Sequence, residues 1–161
     1  MGRVTGIELP GGGGGGSGKD ITKPKLTKLH LSAKRFRIGR KLASASAVRT
    51  GTTIRYTLSE AATVTLSFAR VTSGRKTGKR CVKPKRSNRR HKRCTRYLSV
   101  KPALTFANQA AGPRSIYFEG RLSRRKTLKP GSYRLTLKGR DAAGLVSKGL
   151  TARVTLLARK R

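Results

Sequence analysis

From Leu26 onward, apolar side chains recur at every second position, and a chain patterned this way folds into strands that bury one face. The clearest set is Ile54, Tyr56 and Leu58; after Ser59-Glu60-Ala61-Ala62 comes a second, Val64, Leu66 and Phe68. The pair reads as two consecutive antiparallel strands, or as one strand bending between sheets. Further strands are expected at Leu26 to Leu31, Tyr97 to Val100, Ile116 to Leu122, Tyr133 to Leu137 and Ala152 to Leu156, about seven in all. No segment carries a capped helical stripe; the best attempt, Lys41 to Val48, is short and rich in Ser and Ala. The expected fold class is all-β.

With 161 residues the chain fits one domain and can bury one core without metal or several disulfides. The 19 Gly and 6 Pro suit a fold with many turns, and no internal repeat is present. Residues 10–18, PGGGGGGSG, form a linker, because Gly gains nothing from packing and loses the most backbone entropy on ordering. They lack the spacing and flanking elements of a phosphate-cradling loop. The expected organisation is a disordered Gly-rich tail at 1–23, a β domain at 24–158 and a basic tail at 159–161.

The most informative local pattern is Leu128-Lys129-Pro130-Gly131-Ser132-Tyr133-Arg134-Leu135, where Pro130 and Gly131 set a turn and Tyr133 opens an alternating strand. Asp141-Ala142-Ala143-Gly144 then makes the next turn, the Asp side chain bonding to following amides and Gly144 taking positive φ. These residues resemble the last two strands of fibronectin type III and bacterial immunoglobulin-like domains, with their Leu-x-Pro-Gly-x-Tyr and Asp-x-x-Gly patterns. Thr52 to Val64 resembles a strand-turn-strand of such modules in exported actinobacterial proteins, so the resemblance covers most of 24–158. It implies an immunoglobulin-like antiparallel β-sandwich in which Tyr133 is the structural corner. It says little of activity, because such sandwiches serve adhesion, carbohydrate binding and spacing alike. Leu145 stands where the family often has Asn, which departs from its turn.

Cys81 and Cys94 enclose twelve residues, a spacing that permits one bridge. A zinc site would need two more ligands, and only His91 and the distant His30 exist. A disulfide here would contribute about 3 kcal/mol by chain entropy and points to an oxidising compartment; free thiols, the alternative, would point to a reducing one.

Forty Lys and Arg stand against five acids, for a net charge of +35. Such a field attracts polyanions without reading sequence. The charge concentrates in the Cys-bounded segment 72–96, expected as a loop between strands, which holds Arg75, Lys76, Lys79, Arg80, Lys83, Lys85, Arg86, Arg89, Arg90, Lys92, Arg93 and Arg96. No acid occurs between Glu60 and Glu119. The segment is read as a candidate polyanion grip or as a solvated basic surface; without a reading helix or interleaved aromatics it is not a specific reader of nucleic acid.

Glu8, Asp20, Glu60, Glu119 and Asp141 are spread along the chain, with Glu119 expected inside a strand and no two forced together. Neither His30 nor His91 has an evident Ser or Cys partner, so no catalytic residue, cofactor or metal site is expected. No apolar run is long enough to cross a membrane or to serve as a secretory signal. Either the protein is cytoplasmic or the sequence begins inside a longer exported chain, and the fold and cysteines favour the second. The expectation is a non-catalytic accessory or binding module of a secreted or cell-surface protein, contacting acidic polymer, cell wall or protein. The alternative is a cytoplasmic protein that binds nucleic acid non-specifically at low salt through 75–96.

Overall fold

A computed structural model of the chain describes residues 20–40 and 51–158. Most of the Gly-rich tail, the segment Lys41 to Val48 and the basic residues 159–161 lie outside the described residues. Nine strands are described: β1 (Leu26–Leu31), β2 (Arg35–Arg37), β3 (Thr52–Leu58), β4 (Ala62–Thr77), β5 (Arg80–Val82), β6 (Arg93–Gln109), β7 (Gly112–Phe118), β8 (Gly131–Arg140) and β9 (Leu150–Leu157). A single 3₁₀ turn, Arg86–Asn88, is the only helical element among the described residues. No helix there is long and apolar enough to cross a membrane.

The fold is all-β, in two sheets. One has the order β1-β3-β7; the other runs β2-β9-β8-β4-β5, with β6 also paired to β4. Alternation sets the layers. Ile54, Tyr56 and Leu58 of β3, Val64, Leu66 and Phe68 of β4, Leu135 and Leu137 of β8, and Val154 and Leu156 of β9 join one buried cluster. Phe68 stacks on Phe118 of the opposite sheet with centroids 4.5 Å apart, and Phe36 meets the same ring edge-on at 6.2 Å.

Two expectations need correction. The sheets are not purely antiparallel, because β2 runs parallel to β9. Its cause lies in the connection from β1: Ser32 donates to the Thr53 carbonyl in one sheet, while the Lys34 carbonyl accepts from Thr155 in the other. The chain thus changes sheets without reversing direction. The count is nine strands rather than about seven; β2 and β5, each three residues long, are too short to show a period.

One buried polar atom has a consequence for alkaline stability. Tyr56 is 2 % exposed, and its hydroxyl has no hydrogen-bond partner. Burial pushes its pKa up to about 12, against the opposing pull of Arg114. The folded state therefore holds this proton more tightly than the unfolded chain. The resulting stability is full below the ordinary value of 10.0 and is lost as pH rises toward 12. Tyr56→Phe is expected to equal or slightly exceed the parent at pH 7 and to lose less stability between pH 10 and 12, as measured by paired urea titrations, because it removes an unsatisfied hydroxyl.

Candidate functional site

The segment 72–96, expected as a loop throughout, is strand at 72–77, 80–82 and 93–96 and stays a loop between Val82 and Arg93. β4 continues past the end of its pairing with β8 at Arg70, so its last residues leave the layered body as an arm. A two-residue turn, Gly78-Lys79, with Gly78 at φ +58°, returns the chain as β5 beside Arg75 to Thr77. On the other flank β6 pairs with Thr72 to Arg75 through Arg93 to Arg96. Charge had hidden these strands, since a run of Lys and Arg carries no hydropathy alternation.

Cys81 of β5 and Cys94 of β6 form a disulfide. Cys81 lies opposite Lys76 and Cys94 opposite Gly74, so the bridge ties together the two strands that flank β4. Gly74 makes room for it. A Cβ at this position would sit 2.5 Å from the Cys81 sulfur and 2.5 Å from Cγ of Arg96. The tethered sulfur cannot yield, so Gly74→Ala is expected to cost about 1–3 kcal/mol as overpacking. Alkylation and mass measurement after refolding should find free thiols in this variant where the parent has none.

Between the two cysteines the backbone is held by its own polar groups. Asn88 is buried; its Oδ1 accepts from the Lys85 amide at 2.8 Å and its Nδ2 donates to the Lys83 carbonyl at 3.1 Å. His91 Nδ1 lies 2.9 Å from the Lys76 carbonyl, which can only accept, so this nitrogen carries the proton. Arg75 donates to the His91 carbonyl at 3.0 Å, and the Lys76 amide donates to the Lys92 carbonyl at 2.9 Å. With the backbone fixed this way, the cations point outward. Lys76, Lys79, Arg80, Lys83, Lys85, Arg86, Arg89, Arg90, Lys92 and Arg93 are exposed, while Arg75 and Arg96 are partly covered.

The arm continues into the outer face of the six-stranded sheet, which sequence reasoning left out. Arg134 of β8 lays its guanidinium 3.8 Å from the ring centre of Tyr97 on β6. Arg153 is the cross-strand partner of Arg134. Two shallow depressions lie here, one of about 310 Å³ bordered by Ser67, Ser99, Lys101 and Arg134, the other of about 450 Å³ bordered by Ser73, Arg93, Thr95 and Arg153. Tyr97 is 41 % exposed, so the basic surface does carry an aromatic at its edge. The missed signal was the alternation of Tyr133, Arg134 and Leu135, which sends Arg134 to the face opposite the core.

The remaining predicted residues take other places. The Tyr133 hydroxyl donates to the Lys129 carbonyl at 2.7 Å, spanning Pro130 and Gly131. Burial pushes its pKa up, opposed by Arg70 and by this bond. Asp141 Oδ1 accepts from the Leu145 amide at 2.8 Å, and Gly144 adopts φ +85°. His30 lies exposed on β1 opposite Arg55. Glu119 falls just past β7 rather than inside a strand, and it is buried with the Tyr117 hydroxyl donating to it at 2.6 Å.

The carboxylates are not all dispersed, contrary to expectation. Asp20, Glu60 and Asp141 bring one oxygen each within 4.8 Å of one another, because the approach to β1, the β3–β4 turn and the turn after β8 meet at one end of the domain. No family model matches the chain, and neither does any curated protein.

Proposed function

We propose that this chain is a non-catalytic, immunoglobulin-like binding module of a secreted or cell-surface protein that grips acidic polymer through its stapled basic arm. The strand orders support the fold reading. β1-β3-β7 faces a sheet centred on β9-β8-β4, and the leading segment divides between the two as β1 and β2. The Tyr133 hydroxyl bond to Lys129 fits the corner of that family.

The observation that carries the functional reading is the arm: ten exposed cations on a disulfide-tied β scaffold with no acid among them. Such a scaffold fixes the backbone that carries the charges before a partner arrives, so less backbone freedom is lost on binding. The disulfide favours an oxidising compartment. Polymer suits the site better than a base sequence, since the arm offers no helix to enter a groove, while a dense cluster of charges attracts a backbone of phosphates, sulfates or carboxylates whatever its sequence.

The test is competition at physiological salt among duplex DNA, polyphosphate and an acidic polysaccharide. All three should bind and compete according to charge density, with affinity falling steeply as salt rises. A nanomolar preference for duplex DNA that survives physiological salt would replace this reading with nucleic-acid binding.

A further inference from the structure

The first half of β9 has an open edge. β8 takes one side of Leu150 to Val154, but on the other side β2 reaches only Thr155 to Leu157. The Thr155 amide donates to the Lys34 carbonyl and the Leu157 carbonyl accepts from the Ile38 amide, so both residues aim their backbone polar groups away from β8. By the alternation of an antiparallel ladder, the amides and carbonyls of Thr151 and Arg153 point the same way, and no strand meets them among the described residues. Such an edge is a template for one more strand.

Two depressions lie along the seam between this edge and β1. One, of about 590 Å³, is bordered by Ile21, Pro24 and Leu26 on one side and by Lys148 and Leu150 on the other. The second, of about 480 Å³, lies between Leu29 to Leu31 and Thr151 to Arg153, with Lys34 at its border. Ile21 is 84 % exposed, which leaves an apolar surface to be covered. Lys23, Lys25, Lys34, Lys148 and Arg153 add positive charge, and no acid borders either depression among the described residues.

We propose that residues 4–9 of this chain, Val4-Thr5-Gly6-Ile7-Glu8-Leu9, add to this edge as a strand antiparallel to β9. Their pattern fits the two faces of the edge. Leu150 and Ala152 pack against the core, whereas Thr151 and Arg153 are exposed. Residues opposite each other in a ladder share a face, so Ile7 and Leu9 join Leu150 and Ala152, and Glu8 stands beside Arg153 directly or on the diagonal. Glu8 is the one acid among the first nineteen residues, and it meets a seam of cations. Pro10, which has no N–H to give a ladder, ends the pairing.

The connection has the right length. Ten residues, Pro10 to Lys19, join Leu9 to Asp20, and a Gly-rich chain of ten residues spans about 16–19 Å on average. A strand antiparallel to β9 finishes beside Leu150, and Ile21 borders the same depression as Leu150, so the gap to close is short. A short flexible tether also holds the segment at an effective concentration of about 1 mM or more. The inference does not depend on what the arm binds.

Amide hydrogen exchange of the full chain provides the test. The amides of Thr151 and Arg153 should exchange at least about tenfold more slowly in the parent than in a variant carrying Ile7→Asp and Leu9→Asp together. The Thr155 amide, already bonded to Lys34, should exchange equally in both. Glu8→Lys sets a like charge beside Arg153 and should lose about two- to fivefold of the protection. Equal exchange of Thr151 and Arg153 in the parent and the double variant would overturn the added strand. Protection that disappears on dilution would overturn it too, by assigning the segment to a second copy of the chain.

Discussion

Replacing Lys79, Arg80, Lys83, Arg86, Arg89 and Arg90 together by Gln should weaken binding to duplex DNA, used as a polyanion of known charge spacing, by about 10⁴-fold at physiological salt. The magnitude comes from about 1 kcal/mol per cation held near an anionic surface. The variant should also flatten the dependence of log K on log salt by about 5, since each phosphate contact contributes about 0.9 to the slope on B-form DNA. Both readings are needed, because a fall in affinity with an unchanged slope would mean that the arm had been deformed and not merely discharged. All six side chains are exposed, so the folded body should melt at the parent temperature or above it as repulsion within the arm is relieved. An unaltered affinity would move the grip to the outer sheet face around Tyr97, Arg134 and Arg153, and Arg134→Gln would then be the next variant to measure.

Phe118→Ala should destabilise the domain by about 3–5 kcal/mol, a large part of the roughly 5–15 kcal/mol that holds a domain of this size together. Phe118 is fully buried at the end of β7 and stacks on Phe68 of the opposite layer, while Phe36 of β2 meets it edge-on. Its ring therefore joins the two sheets, touching β4 inside the opposite sheet and β2 at that sheet's edge. Removing it opens a void that neither flat layer can close, because the partners are fixed by strand pairing on each side. Urea titration gives the loss directly. A cost below about 1 kcal/mol would mean that the layers collapse onto each other and that the stacked pair does not hold the interface.

Alternation made the strands of the body legible. Leu26 to Leu31 was read with the bounds it has, and the pairs around Tyr56 and Leu66 gave β3 and the buried half of β4. It failed where the pattern was too short or was drowned by charge. Phe36 stands alone between Arg35 and Arg37, and Cys81 and Val82 sit among cations, so neither β2 nor β5 could declare itself. The arm was legible as a concentration of charge but not as a structure, because its strand residues, Thr72 to Thr77 and Arg80 to Val82, carry no apolar residue at alternate positions and so show no period to detect. Juxtapositions across sequence were out of reach altogether. Asp20, Glu60 and Asp141 are separated by many tens of residues, and only the sheet order brings their turns together. Tyr97 and Arg134 likewise meet because β6 and β8 flank the same strand.

That strand also gives the molecule a direction. β4 is 16 residues long, about 50 Å at 3.3 Å per residue, with the Glu60 carboxylate cluster just before its start and the arm at its end. Positive charge is thus densest at one end of this axis, and a body polarised in this way feels a torque near an anionic wall or sheet of polymer. It should swing round as it approaches and touch down with the turn at Lys79 foremost, leaving the Asp20 end uppermost. The domain would then meet the polymer by its arm, as a peg that plants itself.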